Sequence, residues 1–449
     1  MSAFDDKPAR QSLPAPELLT TVSQPGLEIF QVTTNPRLSA NVFYNHAQAI
    51  EPTSRFVLIN RQDGGAARLT LVDLDDGFEL TDVNAAGEAG VSGSHAGAAF
   101  APDGSAVFYS LLRDRSFVIR RWDLARRRAE DALAVDLARP EFGGRKLFAG
   151  RWLSFSHDGR RLASAALLEG KDKYYSVAVL TFDMASMRLH TSFETGPRNW
   201  NNKSQYAPAP GPRGEYLISV SDSYSQAWLD ERGQWHCESV GDEAEPGGST
   251  YLVDEQGTVR YAYGVGRDRP RQNISHDAWF GKSIEKVFHC DAFDTADHWR
   301  GVILHSRPVP ADDRTRHLGR HIAGANQLDL TRHLTRPEVW HLCVDAEARH
   351  MVCDTHGLGY GNGPEDYRSV SRYIYAATIH HDSDGPYAVP RLVLTAHSSW
   401  QPYGAEALPF LTPNRKWILF ASDYPGVQGY GGAWHTPQVF AVRNFQFPE

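Results

Sequence analysis

Ser94-His95-Ala-Gly-Ala-Ala-Phe-Ala-Pro102-Asp103-Gly104-Ser-Ala-Val-Phe-Tyr109 decides the fold. A short apolar strand runs into a Pro-Asp-Gly tip and out again as a second apolar strand, the pattern of a β-hairpin with turn residues at its point. Looser copies read Arg151-Trp152-Leu-Ser-Phe-Ser-His157-Asp158-Gly159-Arg-Arg-Leu-Ala and Leu408-Pro-Phe-Leu-Thr-Pro413-Asn414-Arg-Lys-Trp-Ile-Leu-Phe420. Hairpins recurring every roughly 40–60 residues predict propeller blades. Long helices are not evident. The expectation is an all-β chain forming a seven-bladed β-propeller of four-stranded antiparallel blades, although the period alone would also fit six or eight. Residues 1–26, polar and Pro-rich, read as an N-terminal arm, and residues 27–449 as a single propeller domain.

Outward from that hairpin, blade one is expected from Phe43 to Leu74, blade two over 93–125, blade three over 148–185 and blade four from Tyr206 to Leu229. Blade five starts near Val287 and blade six at Trp340. Blade seven pairs the segment from Leu392 with those at Trp417 and Val439. The stretch 230–280 carries no clear pattern, and 310–337 reads as an insertion or a short helix. Ahead of the presumed first strands stand Asn45-His46, Ser94-His95, Arg151-Trp152, Gln205-Tyr206, Phe288-His289, Trp340-His341 and Glu406. If the blades are equivalent, these residues ring one mouth of the central channel.

The 449 residues would fill two or three average domains, but a propeller absorbs them as one because every blade packs on its neighbours. Eleven Trp and eighteen Tyr are many for an ordinary enzyme, and blade interfaces account for most of them. A net charge of −8 argues against nucleic acid or an anionic membrane as partner, while local Arg clusters leave room for an acidic small substrate. Four cysteines are too few for a disulfide scaffold. The first residues lack a basic-then-apolar signal pattern, and no apolar run approaches the ~20 residues of a membrane span. The expectation is a cytoplasmic protein with reduced thiols.

The second half of the chain resembles the oligogalacturonate lyases, a family of seven-bladed propellers that cleave uronide oligosaccharides by β-elimination. Four groups of residues carry the likeness in order: Phe288-His289-Cys-Asp-Ala with the later Asp297-His-Trp-Arg-Gly-Val-Ile-Leu-His305; Trp340-His341-Leu-Cys-Val-Asp345; Ala396-His397-Ser398-Ser399-Trp400; and the closing Phe410-Leu-Thr-Pro-Asn414, Phe420-Ala-Ser-Asp423 and Pro437-Gln-Val-Phe440. The first half matches more loosely, through Val42-Phe43-Tyr44-Asn45 and the Pro-Asp-Gly hairpins. The resemblance implies that His289 is the proton-abstracting base and His341 a metal ligand. The family's remaining ligands come from a Gln-x-x-His-Pro-His-Pro segment. Here Glu406 replaces the first His and Leu408 the second, and Gln401 is out of register. Either Glu406 and a local His rebuild the cage for a divalent Mn, Ca or Zn, or this relative works without that metal. The chain is more loosely similar to the ulvan lyases. That likeness implies His46 and His95 as a catalytic pair and a zinc held through His341-x-Cys343.

Elimination from a uronate removes the C5 proton beside the carboxylate and expels the C4 oxygen. The carboxylate must be neutralised by a metal, an Arg or hydrogen-bond donors, and a base titrating near neutrality must take the proton. The expected catalytic set is His289, His46, His95, Tyr206 and Arg271. Arg267, Arg151, Trp152, Asn45 and His397 are expected to bind the acidic oligosaccharide or polysaccharide, and His341, Glu406 and Cys343 a metal. Against these, His298, His333, His350 and His380 read as structural or surface histidines, Cys343 reads better as a buried inert thiol than as a ligand, and Arg267 to Arg271 read as a solvated loop. Two rival functions stand beside the uronate lyase. One is a rhamnose–glucuronate-cleaving propeller without essential metal; the other is a non-enzymatic glycan-binding scaffold.

Overall fold

The computed structural model describes residues 23–35, 38–43, 48–63, 66–85, 88, 97–113, 116–136, 145–170, 173–195, 204–221, 225–230, 235–239, 250–263, 273–295, 298–311, 327–334, 339–355, 373–396, 398, 407–423 and 436–449. Their regular structure is all β, arranged as a seven-bladed propeller. Among them no helix is long and apolar enough to cross a membrane.

Blade one comprises Ser39–Val42, Phe56–Asp63, Ala66–Asp73 and Glu79–Asp82. Blade two comprises Ala98–Phe100, Ala106–Arg113, Ser116–Asp123 and Arg128–Asp136. Blade three runs through Leu147–Phe155, Arg161–Leu168, Ser176–Asp183 and Arg188–Glu194. Blade four uses Gln205–Tyr206, Ile218–Ser221, Thr250–Val253 and Val259–Ala262, and gains a fifth short strand, Val309–Pro310, at its edge. Blade five is Asn273–Trp279, Lys286–Thr295, His298–Ser306 and Gln327–Asp329. Blade six is Val339–Val344, His350–Thr355, Tyr373–Asp382 and Arg391–Thr395, with Gly385–Ala388 folded back on its third strand. Blade seven takes Phe410–Leu411, Ile418–Ser422 and Gln438–Arg443 from the end of the chain and Glu28–Gln31 from its beginning.

The sequences of the middle strands follow from this packing. Val-Ala-Val-Leu-Thr-Phe within Ser176–Asp183 and Ile418–Ser422 are buried on both faces, so they read as continuous apolar runs rather than as alternation. The outer strand Arg128–Asp136 meets a neighbour only in part and carries charged, exposed positions. Separate apolar clusters fill the blade interfaces. Val57, Val72 and Leu419 join blades one and seven; Tyr206, Val220 and Val179 join three and four; Val287, Leu342 and Met351 join five and six. First strands of successive blades touch across several interfaces, two with three, three with four, five with six and six with seven, which puts them around the axis.

The tip seen in sequence is a repeated device. Gly104 N–H donates to the Ala101 carbonyl at 2.9 Å with φ +72°, and Asp103 Oδ1 accepts the Ser105 amide at 2.9 Å. The same i to i+3 bond joins Ser54 to Glu51, Gly159 to Ser156, Gly214 to Gly211, Ala348 to Asp345 and Arg415 to Thr412. All these fourth residues have positive φ, between +52° and +81°.

Several expected boundaries are corrected. Blade one starts at Ser39, ahead of Phe43, and blades one, two and three each run one strand beyond Leu74, 125 and 185, to the outer strands Glu79–Asp82, Arg128–Asp136 and Arg188–Glu194. Blade four does not end in the Trp228 segment. Ser225–Leu229 and Trp235–Ser239 form a separate hairpin, and the segment without clear pattern supplies the blade's third and fourth strands. Blade five begins at Asn273, so His289 lies on its second strand. The Leu392 segment is the outer strand of blade six, and the outer strand of blade seven is Glu28–Gln31, paired as Glu28↔Arg443 through Gln31↔Phe440.

That last pairing closes the ring. Ile29 is 2% exposed in the cluster shared by blades six and seven, whereas Glu28 meets Arg443 Nε at 2.9 Å in solvent. Urea denaturation followed by Trp fluorescence should therefore show Ile29→Ala costing about 2–5 kcal/mol and Glu28→Ala no more than about 1 kcal/mol. Equal effects would mean that the closing strand is held by its surface ion pair and not by its buried side chain.

Candidate active site

Two irregular first strands build the site. In blade five the pairing with the second strand slips between Ser275 and Asp277, so His276 is an extra residue, and it takes φ +49°. Such a β-bulge turns a side chain away from the ordinary alternation, and a left-handed non-glycine residue costs on the order of 1 kcal/mol. In blade six the register shifts between Val339 and Leu342, the interval that holds Trp340 and His341. Blades five and six are neighbours, so the two irregularities face each other.

Four rings meet there. His276 stands 4.7 Å from His341 edge-on, 4.9 Å from Trp340 and 6.1 Å from His289, measured between ring centroids. His289 packs on Trp340 at 4.1 Å. His289 and His341 are fully buried and Trp340 nearly so, while His276 is partly exposed, so it is the imidazole of the three that solvent reaches.

His341 is set by a buried carboxylate. Asp354, on the next strand, accepts the His341 backbone N–H at Oδ1 (2.8 Å) and faces ring Nδ1 with Oδ2 (2.9 Å); both side chains are fully buried. A carboxylate at Nδ1 keeps the proton on that nitrogen and leaves the lone pair on Nε2. This is the orientation a base or a metal ligand requires.

The structure separates the remaining expected residues. Trp152 is fully buried at a similar left-handed position in blade three (φ +50°), packed with Tyr109, Ala165 and Leu167, so it is an interface core residue and offers no sugar platform. Tyr206 is buried and donates its hydroxyl to Glu255 Oε1 at 2.6 Å, and Arg161 and His190 meet the same carboxylate. Burial, then the charge of Glu255, raises its pKa, so its proton is held in a tie between blades three and four. Cys343 packs among Val352, Ile374 and Phe420, and burial pushes its thiol up to about 12, so it sits in the core as a neutral thiol. Arg151 lies in the first strand of blade three. Asn45, His46, His95, Arg267, Arg271, His397 and Glu406 lie outside the described residues.

A divalent metal was an open expectation, and of the two substituted ligand positions, 406 and 408, only Leu408 is among the described residues. Leu408, at the position of the second His, is a buried side chain with φ +44° packed beside Trp417 and Val439. Among the described residues no group of three or more His, Cys, Asp or Glu is placed to hold a metal. Histidines read as structural are so engaged: His333 with Asp382 (3.3 Å), His350 with Asp345 (2.9 Å) and His380 stacked on Tyr387.

Sequence reasoning missed His276 and Asp354. His276 lies in the stretch without clear pattern, and its role depends on a bulge. Asp354 was within reach. Counting equal steps outward from Asp345 and His350, which close the tip, sets position 341 opposite 354.

No family model matches the sequence, and no curated protein matches it. Its fold, however, is found in solved structures. Oligogalacturonate lyase from Vibrio parahaemolyticus superposes with a TM-score of 0.59 at 13% identity, over 94% of this chain and 95% of that one. An oligogalacturonate lyase in complex with manganese gives a TM-score of 0.58 at 16% identity over 94% of each chain. The chain thus has, over nearly its whole length, the seven-bladed fold of the oligogalacturonate lyases.

Proposed function

We propose that the chain is a carbon–oxygen lyase that cleaves a uronate-containing oligosaccharide or polysaccharide by β-elimination. The observation that carries this reading is the meeting of His276, His289 and the Asp354-backed His341 at the interface of blades five and six. The full-length likeness of fold to oligogalacturonate lyases supports it.

In the reaction, a base removes the C5 proton, the electron pair forms the C4–C5 double bond, and the C4–O bond breaks. The departing oxygen then takes up a proton. His289, expected as the base, is fully buried, so the partly exposed His276 beside it is assigned to meet the C5 proton, with His289 and the Asp354-backed His341 packed behind it in the same cluster. His46 and His95 are assigned to proton transfer at the leaving oxygen. Arg267 and Arg271 neutralise the uronate carboxylate, with Arg151, Asn45 and His397 binding the neighbouring sugar units. The buried Leu408 favours a variant of this reading in which Arg side chains, without an essential metal, do the neutralising.

The test is ultraviolet absorbance of the conjugated product on incubation with oligogalacturonate, glucuronan, ulvan and a rhamnose–glucuronate glycan. Absorbance should rise with at least one, and His289→Ala and His341→Ala should each lose at least about 100-fold in rate. Full activity in both variants would overturn the site. New reducing ends without absorbance would mean hydrolysis, and no cleavage at all would leave a glycan-binding propeller.

Asp354→Asn keeps the shape but not the acceptor pair at His341. It should lower kcat about 10–100-fold with little change in KM. Treatment with EDTA should leave the rate within about twofold, and a larger loss restored by Mn²⁺, Ca²⁺ or Zn²⁺ would show that the chain rebuilds a metal site.

A further inference from the structure

The residue that follows the left-handed His276 is locked in place by an unusual partner. Asp277 is 4% exposed, and its carboxylate takes the ammonium of Lys286, itself 1% exposed, from the adjoining strand. Lys286 Nζ also donates to Ser219 Oγ of blade four at 2.7 Å and lies 4.3 Å above the centre of the Trp279 ring. One ion pair thus ties the bulge of blade five to its own second strand and to the blade behind it. Blade six, with Trp340 and His341, lies on the other side.

A buried ion pair is an inefficient source of stability, because the loss of water around both charges offsets their attraction; apolar side chains of similar volume often do as well. What the pair adds is direction. A carboxylate fixed to a buried ammonium on the adjoining strand restrains Asp277, whose backbone carries the strained residue before it. Desolvation lowers the lysine's pKa, and Asp277 opposes the shift.

We propose that the Lys286–Asp277 ion pair is a positioning device for His276, fixing the bulge so that the imidazole stands against Trp340 and His341. Its catalytic meaning rests on the lyase reading above; its geometry does not.

The experiment uses the full chain and the double variant Asp277→Leu/Lys286→Met, which exchanges the pair for apolar side chains. The melting temperature should stay near that of the parent. kcat should fall about 10–100-fold with KM nearly unchanged, as expected when a group at the reacting centre is misplaced by about 1 Å. In parallel, the His276 imidazole resonances, identified by their loss in His276→Gln, should move away from the ring-current-shifted positions that Trp340 imposes. A folded double variant with parental kcat, or with His276 resonances in their parental positions, overturns the proposal. If the parent eliminates none of the uronate glycans, the lyase reading fails and the resonances alone decide the positioning role. If the double variant does not fold, Ser219→Ala removes one of the Lys286 contacts and should move the same resonances by a smaller amount; no movement would again overturn the proposal.

Discussion

A four-stranded blade cannot bury either face by itself, and this constraint governs the whole molecule. The middle strands are apolar on both sides because each side meets another blade, so their burial belongs to the ring and not to any one sheet. The ring has one seam, where Glu28–Gln31 pairs with Phe440–Arg443. Backbone bonds extend it on one side, Val32 N–H to the Val439 carbonyl at 2.8 Å, and the amide side chain of Gln24 reaches the Gln446 carbonyl on the other at 3.0 Å. Every apolar interface depends indirectly on those few residues staying paired.

The fold was legible where turn chemistry is conventional. Gly104 and Gly159 announce their tips and so the inner strands of blades two and three, but the outer strands Arg128–Asp136 and Arg188–Glu194, poor in continuous apolar sequence, lie beyond the expected ends at 125 and 185. The same turn at Ser54 and Ala348 puts a side-chain-bearing residue into the left-handed region, so a pattern built on glycine passes over it, whereas at Arg415 the preceding Pro413-Asn414 still marks the tip. Blade four was lost for another reason. A whole hairpin, Ser225–Leu229 with Trp235–Ser239, stands between its second and third strands, and its apolar residues imitate those of a blade.

The candidate site was legible only in part, for a reason that lies in the first strands. Residues near blade starts were treated as equivalent, but a bulge decides which of them turns to the axis and which to the interface. Blade three sends the left-handed Trp152 into the core, while blade five brings His276 against His341 at the corresponding kind of irregularity. A period-two reading cannot anticipate that choice. His289 and His341 were found by motif, but their setting depends on partners outside it: Asp354 on the facing strand, and His276 in the stretch that carried no clear pattern.

The seam also has a consequence for how the molecule is made. Its two strands are separated by more than 400 positions of sequence, Glu28 pairing with Arg443. During synthesis the first strand emerges early and has no partner until the last is released. In the interval the nascent chain presents a half-finished ring with apolar faces and an unsatisfied strand edge at each end, a species open to wrong pairing. The final assembly step is also the one of greatest sequence separation, which places it among the slow events of β folding. The same feature that gives the finished ring no loose end thus makes its nascent form the vulnerable stage in the life of this protein.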